Sequence, residues 1–185
     1  IGTARMGYVE TGSEPFSENA AHAPAAAVEK GSDPITPNEK SIAVLPFLAL
    51  SSGPDDEYFA DGLTEEILNS LAQLPELLVT ARTSSFHFKG QDIPIKEIAA
   101  TLGVSNIVEG SVRRSGERLR VTAQLIRARD GFHLWSEDYD STSTDSIAVQ
   151  EMIAEKVAQA MNVVMDDKKR AAMKRAVKSH DFKFI

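Results

Sequence analysis

The sequence predicts an α/β (α+β) fold, a single two- or three-layer domain in which helices pack on a mixed sheet of about five strands. Two observations predict it. In the amino-terminal half of the domain, continuous apolar runs alternate with segments whose apolar residues recur at helical spacing. Three strand patterns and a long helix follow, in the order β-α-β-α-β-β-β-α. A composition of 42% hydrophobic and 25% charged residues is ordinary for a globular protein of this length.

The chain divides into three regions by composition. Residues 1–40 are rich in Ala, Glu, Pro, Gly and Ser and lack a sustained apolar period, which predicts a flexible linker or arm. Residues 41–165 carry the α/β pattern. Residues 166–185 hold seven basic and three acidic residues and predict a basic helical connector. Because the chain begins with Ile, we expect it to be a piece of a longer protein.

The front of the domain begins with a strand. Ser41–Phe47 is continuously apolar, which is typical of a central strand covered on both faces. Asp55–Gln73 repeats apolar residues every four positions and predicts a helix. Gly62 interrupts this helix and indicates a kink, a close approach or a later helix start. Leu77–Arg82 predicts a second, short strand.

Turn-forming and helix-ending residues predict the connections and the later helices. Leu48–Asp56 is expected to be a loop, and Thr83–Gly90 a loop or short edge segment. Ile93–Leu102 predicts a helix that Gly103 ends as the C′ residue. Asp145–Val177 predicts one long helix. Its apolar stripe thins over the last dozen residues, so we expect that part to leave the domain.

Three antiparallel strands are predicted between the last two helices. The turns Ser115-Gly116-Glu117 and Arg129-Asp130-Gly131 separate them, and the third strand, Phe132–Tyr139, holds Trp135. Both Phe132 and Trp135 are expected in the core. Alternation along the middle strand predicts a buried face and a wetter face. The buried face is Leu119, Val121, Ala123 and Leu125, and the wetter face is Arg118, Arg120, Thr122 and Gln124.

Catalytic and metal-binding motifs are absent from the sequence. The chain has no cysteine, which excludes disulfides, thiolate nucleophiles and Cys-type zinc sites. It also has no GxxxxGK[ST], GxGxxG or HExxH motif. The four histidines have no partner at metal-ligand spacing: His22, His87, His133 and His180. We therefore predict no catalytic residue, cofactor or metal, and no enzyme activity in this chain.

Two acidic groups have alternative interpretations. The first could be a cation site, although helix-terminus electrostatics explains it more simply. It consists of Asp55, Asp56, Glu57 and Asp61. The second could supply paired carboxylates for acid–base work. A solvated turn is favoured for it, because adjacent acids on a strand point to opposite faces. It consists of Glu137, Asp138 and Asp140.

Two groups are candidate contacts for a partner or ligand. The first combines hydroxyls and an aromatic after a strand end, as binding loops do. It consists of Arg82, Ser84, Ser85 and Phe86. The second would line one face of the first hairpin tip, either as a solvated face that discourages edge pairing or as a site for an acidic partner or anion. It consists of Arg114, Arg118 and Arg120.

Charge limits the classes of partner. Residues 41–165 carry eighteen acidic and ten basic residues, which argues against nucleic-acid binding, since neutralising phosphates needs a basic face. The basic segment near the end could contact phosphate or acidic lipid, but a solvated connector is favoured. The sequence has no run of about 18 apolar residues that would span a bilayer.

The chain resembles a bacterial module similar to the amino-terminal domain of TolB and to FlgO. The resemblance covers about two-thirds of the chain. The matching stretches are SIAVLPF (41–47), DDEYFADGLTEEILNSLAQLP (55–75), ARTSSFHFKG (81–90), IAATLGVSNIVEGSVRRSGERLRVTAQLIRARDGFHLWSEDYD (98–140) and AVQEMIAEKVAQAM (148–161).

This resemblance implies a place inside a larger signalling protein. In the family, an adenylate or guanylate cyclase domain or a winged-helix DNA-binding domain comes first, and a transmembrane segment can follow. The module is next, then tetratricopeptide repeats. Residues 41–165 would be the module, and 166–185 would lead toward the repeats. The family has no established catalytic residues in this module, so none are carried over.

The resemblance therefore implies a non-catalytic sensory or scaffolding module of a bacterial signalling protein. Its partners would be proteins, namely the output and repeat domains of the same chain, and homodimerisation is left open. A membrane-anchored parent would put the module on the periplasmic side, and a parent without an anchor would leave it in the cytoplasm. The alternative function is a small-ligand-binding sensor, and an enzyme is the third and least favoured.

Overall fold

A computed structural model describes residues 37–142 and 145–178. The expected linker over residues 1–40 lies almost wholly outside the described residues, as do residues 179–185 at the end of the expected connector. The predicted linker and the end of the predicted connector therefore stay predictions.

The described residues contain one mixed sheet of six strands. In space the order is β3-β1-β4-β5-β6, and β2 pairs with β4. The pairs that β1, β2 and β3 make are parallel, whereas β4, β5 and β6 form an antiparallel meander. This confirms the predicted fold class. The strands are β1 (Ser41–Val44), β2 (Leu48–Ala49), β3 (Leu78–Val79), β4 (Asn106–Ser115), β5 (Arg118–Arg127) and β6 (Phe132–Thr142).

Five helices accompany the sheet in the described part of the chain. Three of them match predicted helices at their starts within about two residues, while the second lies in a predicted loop and the fifth is split from the predicted final helix. They are α1 (Asp56–Ala72), α2 (Arg82–Phe86), α3 (Ile95–Leu102), α4 (Ser146–Ala160) and α5 (Asp167–Lys178). Gly103 has a φ of 67° at the end of α3, so its predicted role as the terminating residue is confirmed.

The predicted first strand is divided into two pieces on the same side of β4. Every residue of β1 is buried, as expected for a central strand. Pro46 has no N–H to donate and follows the end of β1. The chain then rejoins β4 further along, where Leu48 lies beside Ser111. In the interruption, the Phe47 N–H donates to Thr64 Oγ1 of α1 at 3.0 Å.

Helix α1 runs without interruption through Gly62, so the later start predicted for it is wrong. Gly62 is exposed and has open space around its Cα, so the predicted close approach is also wrong. The apolar stripe of this helix is confirmed, because Leu63, Ile67 and Leu71 are all buried.

The predicted long final helix is broken. Asn162 lies just after α4 with a φ of 57°, a left-handed conformation that Asn tolerates better than most residues. The Asp166 side chain then accepts the Lys169 N–H at 2.8 Å and starts α5. Met173 of α5 is only 4% exposed and belongs to the main core. The expectation that this segment leaves the domain is therefore wrong for the described residues.

Two apolar clusters place helices on both faces of the sheet. The larger cluster joins buried residues of α1, α4 and α5 to one face, and includes the predicted inner residues of β5. The smaller one packs α3 against part of the other face. It contains Ala43, Leu45, Ile98, Ala99, Val104, Ile107 and Ala128. The arrangement is thus three-layered, but α3 covers only part of its face.

Edge strand β6 departs from one prediction about the core. Trp135 is half-buried against the main cluster, as predicted. Phe132 is 65% exposed, so its predicted core position is wrong. Phe132 is the first residue of this edge strand and directly follows the exposed turn residue Gly131.

Candidate functional site

The uncovered part of the sheet carries polar side chains in the middle and leucines at one side. The strand register shows which of these side chains lie next to each other on neighbouring strands. Leu48 lies beside Ser111, Ser111 opposite Thr122, and Thr122 opposite Asp138. We call this surface the open face. It comprises Leu48, Leu50, Glu109, Ser111, Arg113, Arg118, Arg120, Thr122, Gln124, Ser136, Asp138 and Asp140.

Arginines concentrate at the hairpin end of the open face. Arg120 lies opposite Asp140 and binds it through two contacts, Nε to Oδ1 at 2.7 Å and Nη2 to Oδ2 at 2.8 Å. These hydrogen bonds lower the pKa of Asp140 and raise the pKa of Arg120. Arg113 lies directly opposite Arg120 on the other neighbouring strand. Neither Arg113 nor Arg118 forms an ion pair within 4.0 Å among the described residues.

The second predicted candidate group is not on one face. Arg118 and Arg120 share the open face, but Arg114 lies opposite Leu119 and therefore points to the other side. The sequence could have shown this. Gly116 has a φ of 60° at the first of two loop residues, as in a II′ hairpin turn. Counting back across a two-residue turn makes Arg113, not Arg114, the partner of Arg120.

Arg114 holds β4 to the beginning of α1. Its Nη1 lies 3.3 Å from Asp56 Oδ1, and its guanidinium lies 5.2 Å from the centre of the Phe59 ring. Its backbone N–H donates to Ser51 Oγ at 3.1 Å. A hydrogen bond from the Ser51 hydroxyl, then the Gly53 N–H and Arg114, lower the pKa of the Asp56 carboxyl against the opposing effect of burial.

The first predicted candidate group forms the short helix α2, not a loop. Arg82 pairs with Glu65 of α1 at 3.0 Å, and its guanidinium stacks 4.1 Å from the Phe86 ring centre. Ser84 is exposed, whereas Ser85 is fully buried and is not accessible to a surface partner. These contacts give the group a structural role in holding α2 against α1.

Acidic residues of α1 form ion pairs with the chain that follows α2. Lys89 Nζ lies 2.8 Å from Glu57 and 2.7 Å from Asp61. Partial burial lowers the pKa of Lys89, but hydrogen bonds to these two carboxylates outweigh it and raise the pKa. Asp56 and Glu57 occupy the first turn of α1, as predicted. Within the described residues, no group of three His, Asp or Glu could hold a metal ion.

The acids near the end of β6 lie within the strand, so the predicted solvated turn is wrong. Asp138 accepts a hydrogen bond from Thr122 Oγ1 at 2.7 Å on the open face. Glu137 points the other way and accepts from the Tyr139 hydroxyl at 3.1 Å. Burial, then the neighbouring carboxylate, raises the pKa of Tyr139. The adjacent acids Glu137 and Asp138 do point to opposite faces, as predicted, and Asp140, on the same face as Asp138, is paired with Arg120.

A groove of about 1200 Å³ lies on the open face. Its walls are the chain around β2 and the chain leading into α3, and both are partly apolar. Gly110 lies opposite Ala123 on the buried side of the sheet, where a Cβ would lie 2.5 Å from the Phe47 ring, so this glycine leaves room for that ring in the main core. The sequence signal that was missed is the pair of leucines two residues apart in a predicted loop. Its lining includes Leu48, Leu50, Phe88, Ile93, Ser111 and Thr122.

Comparison with known proteins gives one close sequence relative. No protein-family model matches the chain. A Rhizobium meliloti (strain 1021) protein named "Putative adenylate cyclase 3" is 44% identical over 130 residues, which is 70% of this chain. The chain spans 22% of the length of that relative. It is therefore similar to a segment of a much longer protein.

Two solved structures are similar at low sequence identity. TolB from Acinetobacter baumannii has a TM-score of 0.49 and 15% identity, covering 69% of this chain and 29% of that one. Lipoprotein GNA1162 from Neisseria meningitidis has a TM-score of 0.49 and 18% identity, covering 68% and 99%. The fold class is shown by the strand order of the sheet.

Across the described ranges, 37–142 and 145–178, no helix has the length and apolar character needed to cross a bilayer.

Proposed function

We propose that this chain is a non-catalytic sensory or scaffolding module of a bacterial signalling protein and acts through protein contacts. The observation that carries the proposal is its 44% identity to a segment of a longer protein named for adenylate cyclase. The chain spans only 22% of that protein, so a cyclase activity could reside in the remainder.

The contacts of the charged candidates support a non-catalytic role. Arg82 is paired with Glu65, Arg114 with Asp56, and Arg120 with Asp140. Each pair joins two elements of the fold, and none sets a base beside a nucleophile. We therefore assign these arginines to building the domain, and any recognition to the surface around them.

The arrangement of the parent protein is part of the same proposal. The module, related to TolB amino-terminal and FlgO domains, would lie between a cyclase or winged-helix output domain and tetratricopeptide repeats. Its partners would be those domains, with homodimerisation as a further possibility. We place it on the periplasmic side of a membrane-anchored parent, and a cytoplasmic parent is the alternative.

Two measurements test this function. The purified 185-residue chain is assayed for turnover of ATP and GTP, and for their binding by calorimetry. We expect no turnover and no binding at micromolar concentrations. The parent protein is then compared with and without this segment, and we expect nucleotide cyclisation to persist while its regulation changes. Turnover by the isolated chain would contradict the proposal.

The groove supports a second candidate, a small-ligand-binding sensor. It combines apolar walls with a polar floor, as ligand sites do. A thermal-shift screen with nucleotides, sugars and short peptides tests it. A stabilising compound should lose its effect in Ser111→Phe, which fills the floor. It should keep its effect in Ser136→Phe, an exposed position near the edge of the same face. A screen with no stabilising compound would count against a sensor.

A further inference from the structure

The arginines on the open face leave positive charge without a partner. Arg113 and Arg120 lie directly opposite each other on neighbouring strands, where like charges are destabilising. Asp140 forms its ion pair with Arg120, and the charge of Arg118 also lowers the pKa of Asp140 without a contact within 4.0 Å. Arg118 lies on the same face, two residues before Arg120, and forms no ion pair among the described residues, nor does Arg113. Three arginines at this end of the open face therefore outnumber the carboxylates beside them, Asp138 and Asp140.

Exposed leucines lie immediately beside these arginines. Leu48 is 61% exposed and Leu50 is 52% exposed. Leu48 is paired with Ser111, and the Leu50 N–H donates to the Val112 carbonyl at 2.8 Å. Two residues on from Leu48, Leu50 has its side chain on the same face. Apolar and cationic groups thus form one continuous surface over β2, β4 and β5.

The layer that would cover this surface is incomplete. Helix α3 packs over Ala43, Ile107 and Ala128 at the other end of the same face. Beyond these residues, no described helix covers the face, and the groove lies there. A partner segment could continue the layer that α3 begins, burying the leucines as a helix buries a sheet face.

We propose that the open face docks a protein segment in which carboxylates stand next to leucine-like side chains. The carboxylates would pair with Arg113 and Arg118, and the apolar residues would contact Leu48 and Leu50. This deepens the proposed function and rests on it, because it names the partner chemistry of a module that acts by protein contacts.

Charge also argues against the other occupants. A nucleic acid carries a charge on every nucleotide, so it would meet Glu109 and Asp138 as well as the arginines, whereas a protein segment can place carboxylates at Arg113 and Arg118 alone. A second copy docking through this face would bring four arginines without ion pairs into one interface, Arg113 and Arg118 from each copy. An acidic, leucine-containing segment satisfies both features of the surface at once.

Fluorescence anisotropy with the full 185-residue chain tests the proposal. The probe is a labelled twelve-residue helical peptide in which Leu and Glu lie side by side on one face. Comparison probes are a Leu/Lys peptide, an all-Glu peptide and a single-stranded DNA of twelve nucleotides. We expect the Leu/Glu peptide to bind most tightly, and its binding to weaken with salt, since ion pairs at a surface are screened.

Matched variants locate the site. Arg113→Ala with Arg118→Ala should weaken binding of the Leu/Glu peptide at least about tenfold, as should Leu48→Ser with Leu50→Ser. The control is Lys96→Ala with Arg129→Ala, which removes two exposed positive charges, one on α3 and one in the turn after β5. It should leave binding unchanged. Circular dichroism melting curves establish that each variant is folded.

Several results would overturn the inference. They are failure of the wild-type chain to bind the Leu/Glu peptide, equal losses in the control variant, tighter binding of DNA, or self-association that the arginine variant abolishes. The proposed function fails separately, by nucleotide turnover in the isolated chain. Absence of turnover together with unchanged peptide binding in the arginine variant would therefore overturn this inference alone.

Discussion

Single glycines have opposite roles in this domain. Gly62 lies inside α1, exposed, with open space where a side chain would begin. Gly62→Ala should therefore stabilise the domain by about 1 kcal/mol, because alanine has the higher helix propensity and restricts the unfolded chain. Urea denaturation measures the change. Gly103→Ala is the control and should destabilise, since Gly103 has a φ of 67°. A lower stability in Gly62→Ala would contradict this account of α1.

Gly110 shows the opposite case. A Cβ at this position would lie 2.3 Å from the Thr122 carbonyl oxygen and 2.5 Å from the Phe47 ring. The neighbouring backbone cannot move without disturbing the sheet, so Gly110→Ala should destabilise by about 2 kcal/mol. The matched variant is Ser111→Ala, the next residue, which should change stability far less. Equal midpoints for the two variants in urea would show that the close approach is not a constraint.

The sequence predicted individual faces well where alternation is simple. Leu119, Val121, Ala123 and Leu125 are buried, and the residues between them face the open side. It failed for Arg114, because the face of an arginine before a turn depends on the number of turn residues. It failed for Phe132, because apolar character does not reveal whether an edge strand is covered.

At the scale of elements, the beginning of α1 and the first hairpin stabilise each other through a carboxylate. Asp56 is buried, bonded to Ser51 and Gly53, and paired with Arg114. Its pKa in the folded state is lowered below the ordinary value of 3.8. The folded state therefore favours the charged form, and this stabilisation is present above the unfolded pKa and is lost as pH falls through the folded pKa.

Asp56→Asn should accordingly make the domain less stable than wild type at neutral pH. The difference should shrink as the pH falls below 3.8, where wild-type Asp56 begins to be protonated, first in the unfolded state. Denaturation midpoints across pH measure it. Asp55→Asn is a neighbouring control at the helix start that lacks the Arg114 contact. If the stability difference between Asp56→Asn and wild type grew larger in acid, this would contradict a lowered pKa of Asp56 in the folded state.

Element boundaries show what a pattern of apolar residues can and cannot predict. The long strands of the meander and helix α1 follow from strong periodicity, and both are present as predicted. The two-residue β2 has no periodicity to detect, and its pairing depends on β4, more than sixty residues away. The break at Asn162 depends on one residue in a left-handed conformation. Such features are decided by tertiary contacts, which the local sequence does not contain.

At the scale of the whole molecule, the basic segment after the break is part of the domain. Helix α5 places Met173 in the main core, and its Lys169 pairs with Glu76, just beyond the end of α1. Arg170 lies 2.9 Å from Glu155 of α4. A connector that was merely solvated would make none of these contacts. A partner that pulled on α5 would therefore act directly on the α1 and α4 layer, behind the sheet that carries the open face.

This coupling predicts that the C-terminal helix contributes to global stability. Met173→Ala should destabilise the whole domain by about 2 kcal/mol, because it leaves a cavity among buried side chains. Lys174→Ala removes an exposed neighbour whose ion pair with Glu151 spans 3.7 Å, and should cost less than about 0.5 kcal/mol. Urea denaturation followed by both near-UV and far-UV signals measures the two variants. If Met173→Ala melted α5 alone while the remaining domain kept its wild-type midpoint, α5 would be a separate connector, and a relay through its packing would have no physical basis.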